Sequence, residues 1–140
     1  YNMGLRLLRH VADAEKAGRP FMTVEHAVHR LTGELADWYR IDAGHLRIGD
    51  RADLVVIDPA ALDSRLDEYA EDTVDHYGGL SRMVNRNDDT VNAVLVGGSL
   101  VFADGQATGL VGKQRTGRFL RAAHKSPALS ASEVEFASVS

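Results

Sequence analysis

Apolar positions recur at helical spacing through the first forty residues and alternate or cluster like strands afterwards. Leu5, Leu8 and Ala12 fall on one face of a helix predicted over residues 1–17, with Glu15 and Lys16 near its exposed end. Gly18 is a natural stop, with Pro20 two residues on. Thr23 is placed to cap a second helix, because its hydroxyl can accept one of the backbone N–H groups a helix start leaves over. Glu25 suits the positive end of that helix. Val24, Ala27, Val28 and Leu31 follow the i, i+3, i+4, i+7 pattern, which predicts one buried face. Thr32 and Gly33 break the helix, and Thr32 is placed to cap a short third one through Tyr39.

The pattern then changes. IDAGHLRIGDRAD, residues 41–53, holds Gly44 and Gly49 and reads as turn, short strand, turn. LVVID, residues 54–58, is a compact apolar strand stopped by Pro59. Residues 63–76 are acidic and weakly periodic, and predict a loop with one helical turn, closed by Gly78 and Gly79. Residues 82–89 predict loop or edge strand. Residues 91–96 predict a strong strand, Gly97–Gly98 a two-residue hairpin turn, and residues 100–103 its partner. Asp104–Gly105 makes the next turn. Gly109, Gly112 and Gly117 punctuate a loop, with Phe119 and Leu120 anchoring a last turn, and residues 124–140 read as a weakly ordered tail.

Composition narrows the classes. With 140 residues and 44% hydrophobic content the chain can bury a core. A net charge of −4 without clustered Lys and Arg argues against a nucleic-acid partner. The apolar runs are too short to span a bilayer, and no basic amphipathic stretch suits a membrane surface. The chain contains no cysteine, which excludes disulfides and thiolate metal sites. Nothing resembles a signal peptide, so a cytoplasmic location is the default.

The candidate chemistry is thin. His26 and His29 lie three apart beside Glu25, but the helical zinc motif needs histidines four apart with Glu after the first, so a polar helix face is the better reading. ATGLVGKQ, residues 107–114, has Ala107 and Gln114 where a phosphate loop needs Gly and Ser or Thr, and predicts a turn-rich surface loop. Asp53 and Asp58 bracket the apolar strand but point to opposite faces, which suits a turn aspartate and a strand-end aspartate bonded to backbone rather than an acid–base pair. Asp67, Glu68, Glu71, Asp72 and Asp75 read as a solvated acidic face lacking the glycine of a calcium loop. His10, His45, His76 and His124 share no metal-like spacing, and no Gly-x-Ser-x-Gly elbow occurs.

The order of parts is more informative. AVHRLTGELADWYRIDAGHLRIGDRADLVVIDP resembles the C-terminal signature of the amidohydrolase superfamily, closest to the N-acyl-D-amino-acid deacylase (D-aminoacylase) branch. Ala27, Val28, Leu31, Thr32 and Ala36 match its "AV..LT..PA" helix, with Leu35 in place of the usual proline. Gly44, Leu46, Gly49, Ala52, Asp53, Leu54, Val55, Val56 and Asp58 match "G.L..G..ADLVV.D". Residues 94–98 match the "V.VNG" hairpin with Gly97 in place of Asn, and Gly105, Gly117, Leu120 and Arg121 match the "G…G..LR" ending. The likeness covers roughly four-fifths of the chain, with several motifs in order.

That resemblance implies a metal-dependent hydrolase on a (β/α)8 barrel with a β-sandwich appendage. In the family, zinc or another divalent metal is held by histidines, a bridging residue and an aspartate, and a metal-bound hydroxide attacks an amide carbonyl. All those residues precede the matched stretch, so no catalytic, cofactor-binding or metal-binding residue is assigned to this chain. The implied fold is an α+β fragment. Residues 1–40 would be the terminal barrel helices, 41–112 the C-terminal part of the sandwich, and 113–140 a loop and tail. The start at Tyr1 rather than methionine fits a fragment of a longer product. Half a sandwich leaves unpaired strand edges, so the expected partner is the N-terminal remainder, a companion fragment or a homo-oligomer. A hydantoinase or dihydroorotase relative, or a non-catalytic assembly module, are the alternatives.

Overall fold

The computed structural model describes residues 2–73, 78–84 and 88–123. The first helix, α1, spans Met3–Lys16 and ends where Gly18, at φ +68°, lets the chain reverse. The Gly18 amide donates to the Glu15 carbonyl and the Arg19 amide to the Ala14 carbonyl, the paired closure of a Schellman end. The buried stripe of α1 is centred on Leu8 and Val11, while Leu5 and Ala12 are half-buried. It is thus rotated from the expected face.

Helix α2, Val24–Leu31, opens on Thr23, whose hydroxyl accepts the His26 amide at 3.2 Å. Ala27 is fully buried, packing with Leu8, Val11, Leu7, Met22, Leu31, Ile57 and Leu62 in one cluster. Val24 and Val28, on the face expected to be buried, are exposed. Helix α3, Gly33–Tyr39, is not capped by the Thr32 side chain. Its hydroxyl instead donates back to the Val28 carbonyl at 2.8 Å, a local bond that competes with capping. Arg40 closes α3 in the left-handed region at φ +55°.

Four strands form one antiparallel sheet in the order β1-β4-β5-β6: β1 is Leu54–Ile57, β4 Val91–Val96, β5 Ser99–Ala103 and β6 Gln106–Ala107. Leu54 faces Leu95 and Val96 faces Ser99, so Gly97 and Gly98, at φ +57° and +81°, make the expected two-residue turn. Asp104 and Gly105, also at positive φ, make the next. A second antiparallel pair joins β2, Ala70–Thr73, to β3, Ser81–Val84. The acidic stretch expected to be loop therefore contributes a strand, AEDT, held by its partner rather than by β-forming side chains. The short strand expected within residues 41–53 does not form, and that stretch is a mix of turn, bend and irregular chain. The helical turn expected in residues 63–76 is a 3-10 turn, Ser64–Asp67, and a second one, Pro59–Ala61, was not expected. Phe119 and Leu120 lie in irregular chain, not in a turn. The tail expected at 124–140, with His124, and Asp75 and His76 lie outside the described residues.

Helices and sheet are joined through the 3-10 turns. Arg9 of α1 donates to the Asp63 carbonyl at 3.1 Å and to the Asp67 carboxylate at 2.6 Å, and Arg6 reaches the other Asp67 oxygen at 2.7 Å. The buried Asn2 amide donates to the Leu66 carbonyl. Buried Thr90, just before β4, donates to the Ala61 carbonyl at 2.9 Å, and its own carbonyl accepts the Asp58 amide. No helix among the described residues is long and apolar enough to cross a membrane.

Candidate functional site

The most concentrated set of polar groups lies where residues 41–53, the β4–β5 turn and residues 115–118 meet. They enclose a groove of about 540 Å³, with Asp42, Arg51 and Arg118 on its walls and Gly97 in its floor. Asp53 sits just before β1. One of its oxygens accepts the Gly97 amide at 2.7 Å and the other is ion-paired with the Arg51 guanidinium. The Ala52 carbonyl accepts the Gly98 amide at 2.9 Å, so two consecutive residues hold both glycines of the turn. A Cβ on Gly97 would lie 2.9 Å from the Thr116 carbonyl oxygen, which is why a glycine serves under that segment. Arg118 reaches the Asp42 carboxylate at 2.8 Å, and Asp50 accepts the Arg47 amide at 2.7 Å.

Electrostatically this is a joint. The Arg51 guanidinium holds the Asp53 carboxyl below the usual carboxylate range; burial opposes it, and the Gly97 amide adds to the lowering. A carboxylate so held is a weak base, and the groove's acids are each committed to a neighbour.

Asp58 ends β1, and its carboxylate accepts the Ala60 amide at 2.8 Å to start the first 3-10 turn. Asp53 and Asp58 thus take the turn and strand-end roles expected of them. Of the 107–114 run, Ala107 ends β6 and residues 109–113 are turn, pinned by Thr108, whose hydroxyl donates to the Leu100 carbonyl at 2.8 Å. The acidic run differs from a simple solvated face. Asp67 is held by Arg9 and then Arg6, which lower its pKa, and Glu71 accepts the Tyr69 hydroxyl at 3.0 Å and the Ser81 hydroxyl.

The fold brings two histidines around Gly33: His29 and His45 both border the space it leaves open. A Cβ there would lie 2.9 Å from the His45 ring and 3.3 Å from the His29 ring. The His45 ring nitrogen Nε2 is 2.9 Å from Asp37. The signal for this arrangement was the glycine opening a helix, which makes room for a ring arriving from the following loop. Among the described residues no group of three or more His, Asp or Glu side chains is arranged to hold a metal ion.

Against this, much apolar surface is bare. Successive residues Val55 and Val56 point to opposite faces of β1, and both are exposed. Among the described residues the buried hydrophobics are Leu8, Val11, Ala27, Ala36, Ala61 and Leu66, four of them in or beside the helical layer.

No family model matches the chain, and no solved structure matches it. Proteins of Mycobacterium tuberculosis and Mycobacterium bovis, described as uncharacterized, are 55% identical to it over 137 residues. The match takes in 94% of this chain but 22% of each relative, so the chain spans about a fifth of the length of the curated relatives it matches.

Proposed function

We propose that this chain is the C-terminal portion of a metal-dependent amidohydrolase acting on N-acyl-D-amino acids or related amides, and that its part is to scaffold an active site built by other residues of the same protein. The observation that carries the reading is the bond between Asp53 and Gly97. Asp53 belongs to the turn-and-strand motif GHLRIGDRADLVVID and Gly97 to the hairpin motif VLVGG, where it stands in place of the family's Asn. Motifs 44 residues apart that fit one family in order are here parts of one joint. Two further observations support it. The groove's carboxylates are tied to arginines or backbone amides, and the relatives carry several times more chain. The proposal assigns the metal ligands and general base, as the resemblance implies, to polypeptide outside these 140 residues.

The test uses the full-length protein that carries this segment. Hydrolysis of N-acetyl-D-amino acids, their L-enantiomers and cyclic amides is followed before and after chelation, with metal content read by elemental analysis. The proposal expects a bound divalent metal and D-selective deacylation that chelation abolishes and zinc restores. Hydrolysis of cyclic amides alone would move the protein to the hydantoinase-like branch. A metal-free protein inert on all three would overturn the proposal.

A further inference from the structure

We infer that an exposed apolar face centred on Trp38 and Ile48 is the seat of a contact with the portion of the same polypeptide that lies outside these 140 residues. Trp38 is 74% exposed, Leu46 78%, Phe119 81% and Ile48 fully, at 108%. Contacts within the chain gather them. The Trp38 and Tyr39 ring centres lie 5.1 Å apart, tilted by 37°, at the end of α3. His45, bonded to Asp37, holds the start of the 45–48 stretch against that helix. Phe119 lies between two anchors of the last described segment, Arg118 on Asp42 and the Ala123 amide on the Arg40 carbonyl at 2.8 Å.

Ile48 is the most informative of them. It occupies the first central position of a tight turn closed by the Asp50 amide on the Arg47 carbonyl at 3.0 Å and by the Arg47 amide on Asp50. Gly49 follows it at φ +95°. A water-exposed turn of this kind favours proline or a polar residue there. A β-branched apolar side chain held out by a stiffened turn is shaped to enter a socket. Tryptophan and tyrosine, both exposed on α3, are among the side chains that contribute most at buried contacts. Several large apolar side chains this exposed, on segments tied to one another, mark an interaction site.

The charged neighbours Asp37, Asp42 and Arg118 already have partners within the chain, so the occupant is chosen mainly by its apolar face. Most of each relative's length lies outside the matched segment, and a tethered surface competes at an effective concentration that a second copy cannot reach. The inference rests on the reading of the chain as a portion of a longer protein, and not on its hydrolytic chemistry.

The experiment is hydroxyl-radical footprinting of the native full-length protein, reading oxidation of Trp38, the one tryptophan among these residues, and of Phe119. Trp38 is expected to oxidise at least about tenfold more slowly than in the urea-unfolded protein, at every protein concentration. In the variant Ile48→Asp that protection is expected to fall while oxidation of Met22, in the α1–α2 cluster, is unchanged. Should the variant not fold, the native footprint decides alone. Trp38 reacting at the unfolded rate overturns the inference, as does protection that fades on dilution, which would identify a second copy as the occupant. Footprint and activity are read separately, so an inactive protein with a protected Trp38 rejects the proposed chemistry and keeps this contact.

Discussion

The Asp53 carboxylate accepts the Gly97 amide at 2.7 Å, joining the entry to β1 with the turn between β4 and β5. Arg51 holds the other oxygen, so the aspartate is fixed in one rotamer by both its partners. Replacing it by alanine leaves the Gly97 amide and the Arg51 guanidinium without their acceptor. Asp53→Ala is expected to weaken the local fold by about 1–2 kcal/mol. Amide exchange at Gly97 and Gly98 in the full-length protein would then speed up by roughly five- to thirtyfold. Unchanged exchange would show that the bond is incidental.

Two glycines with the same kind of backbone differ in their surroundings. Gly44, at φ +79°, has the Thr32 carbonyl oxygen 2.7 Å from where a Cβ would sit, whereas Gly49, at φ +95°, has nothing within 4 Å. Gly49→Ala should carry the cost of a left-handed L-residue alone, roughly 1–2 kcal/mol. Gly44→Ala should add a backbone clash that the α2–α3 junction cannot relax, for a total of roughly 3 kcal/mol or more. Urea denaturation of the two variants would separate them, and equal losses would contradict the close approach.

Acid should loosen the chain in a defined direction. Asp53, Asp63 and Asp67 all have carboxyls held below their usual range, first by bonds from Arg51, Arg65 and Arg9 respectively. Between native and unfolded values the unfolded state binds more protons. The stability these groups lend is therefore complete above the ordinary aspartate value of about 3.9 and is lost as pH falls through the lowered native values. Circular dichroism on descending pH should show Asp67→Asn losing less stability than the parent over that window, with the gap shrinking in high salt because the pairs are exposed.

The local parts of this fold were legible because local chemistry fixes them. Thr23 bonding the His26 amide, Gly18 at positive φ and the Gly97–Gly98 turn each depend on a few consecutive residues. What escaped depends on partners far along the chain. AEDT is a strand because residues 81–84 pair with it, and Thr32 serves Val28 instead of capping α3. The expected strand in residues 41–53 gave way to turns held by the Arg47–Asp50 closure and by Gly44 packed on Thr32. The face Val24, Ala27, Val28, Leu31 shows the other limit. Its periodicity calls for burial, and only Ala27 and Leu31 find cover among the described residues. Spacing along the sequence could not bring His29 and His45 around Gly33, because that arrangement depends on a loop folding back over Gly33.

The central claim is that the reactive centre lies in polypeptide beyond these residues. Elemental analysis of the full-length protein carrying His26→Ala, His29→Ala and His45→Ala together tests it most directly. The account predicts the same metal-to-protein ratio as in the parent. Loss of metal from the triple variant, or a parent that binds none, would contradict it.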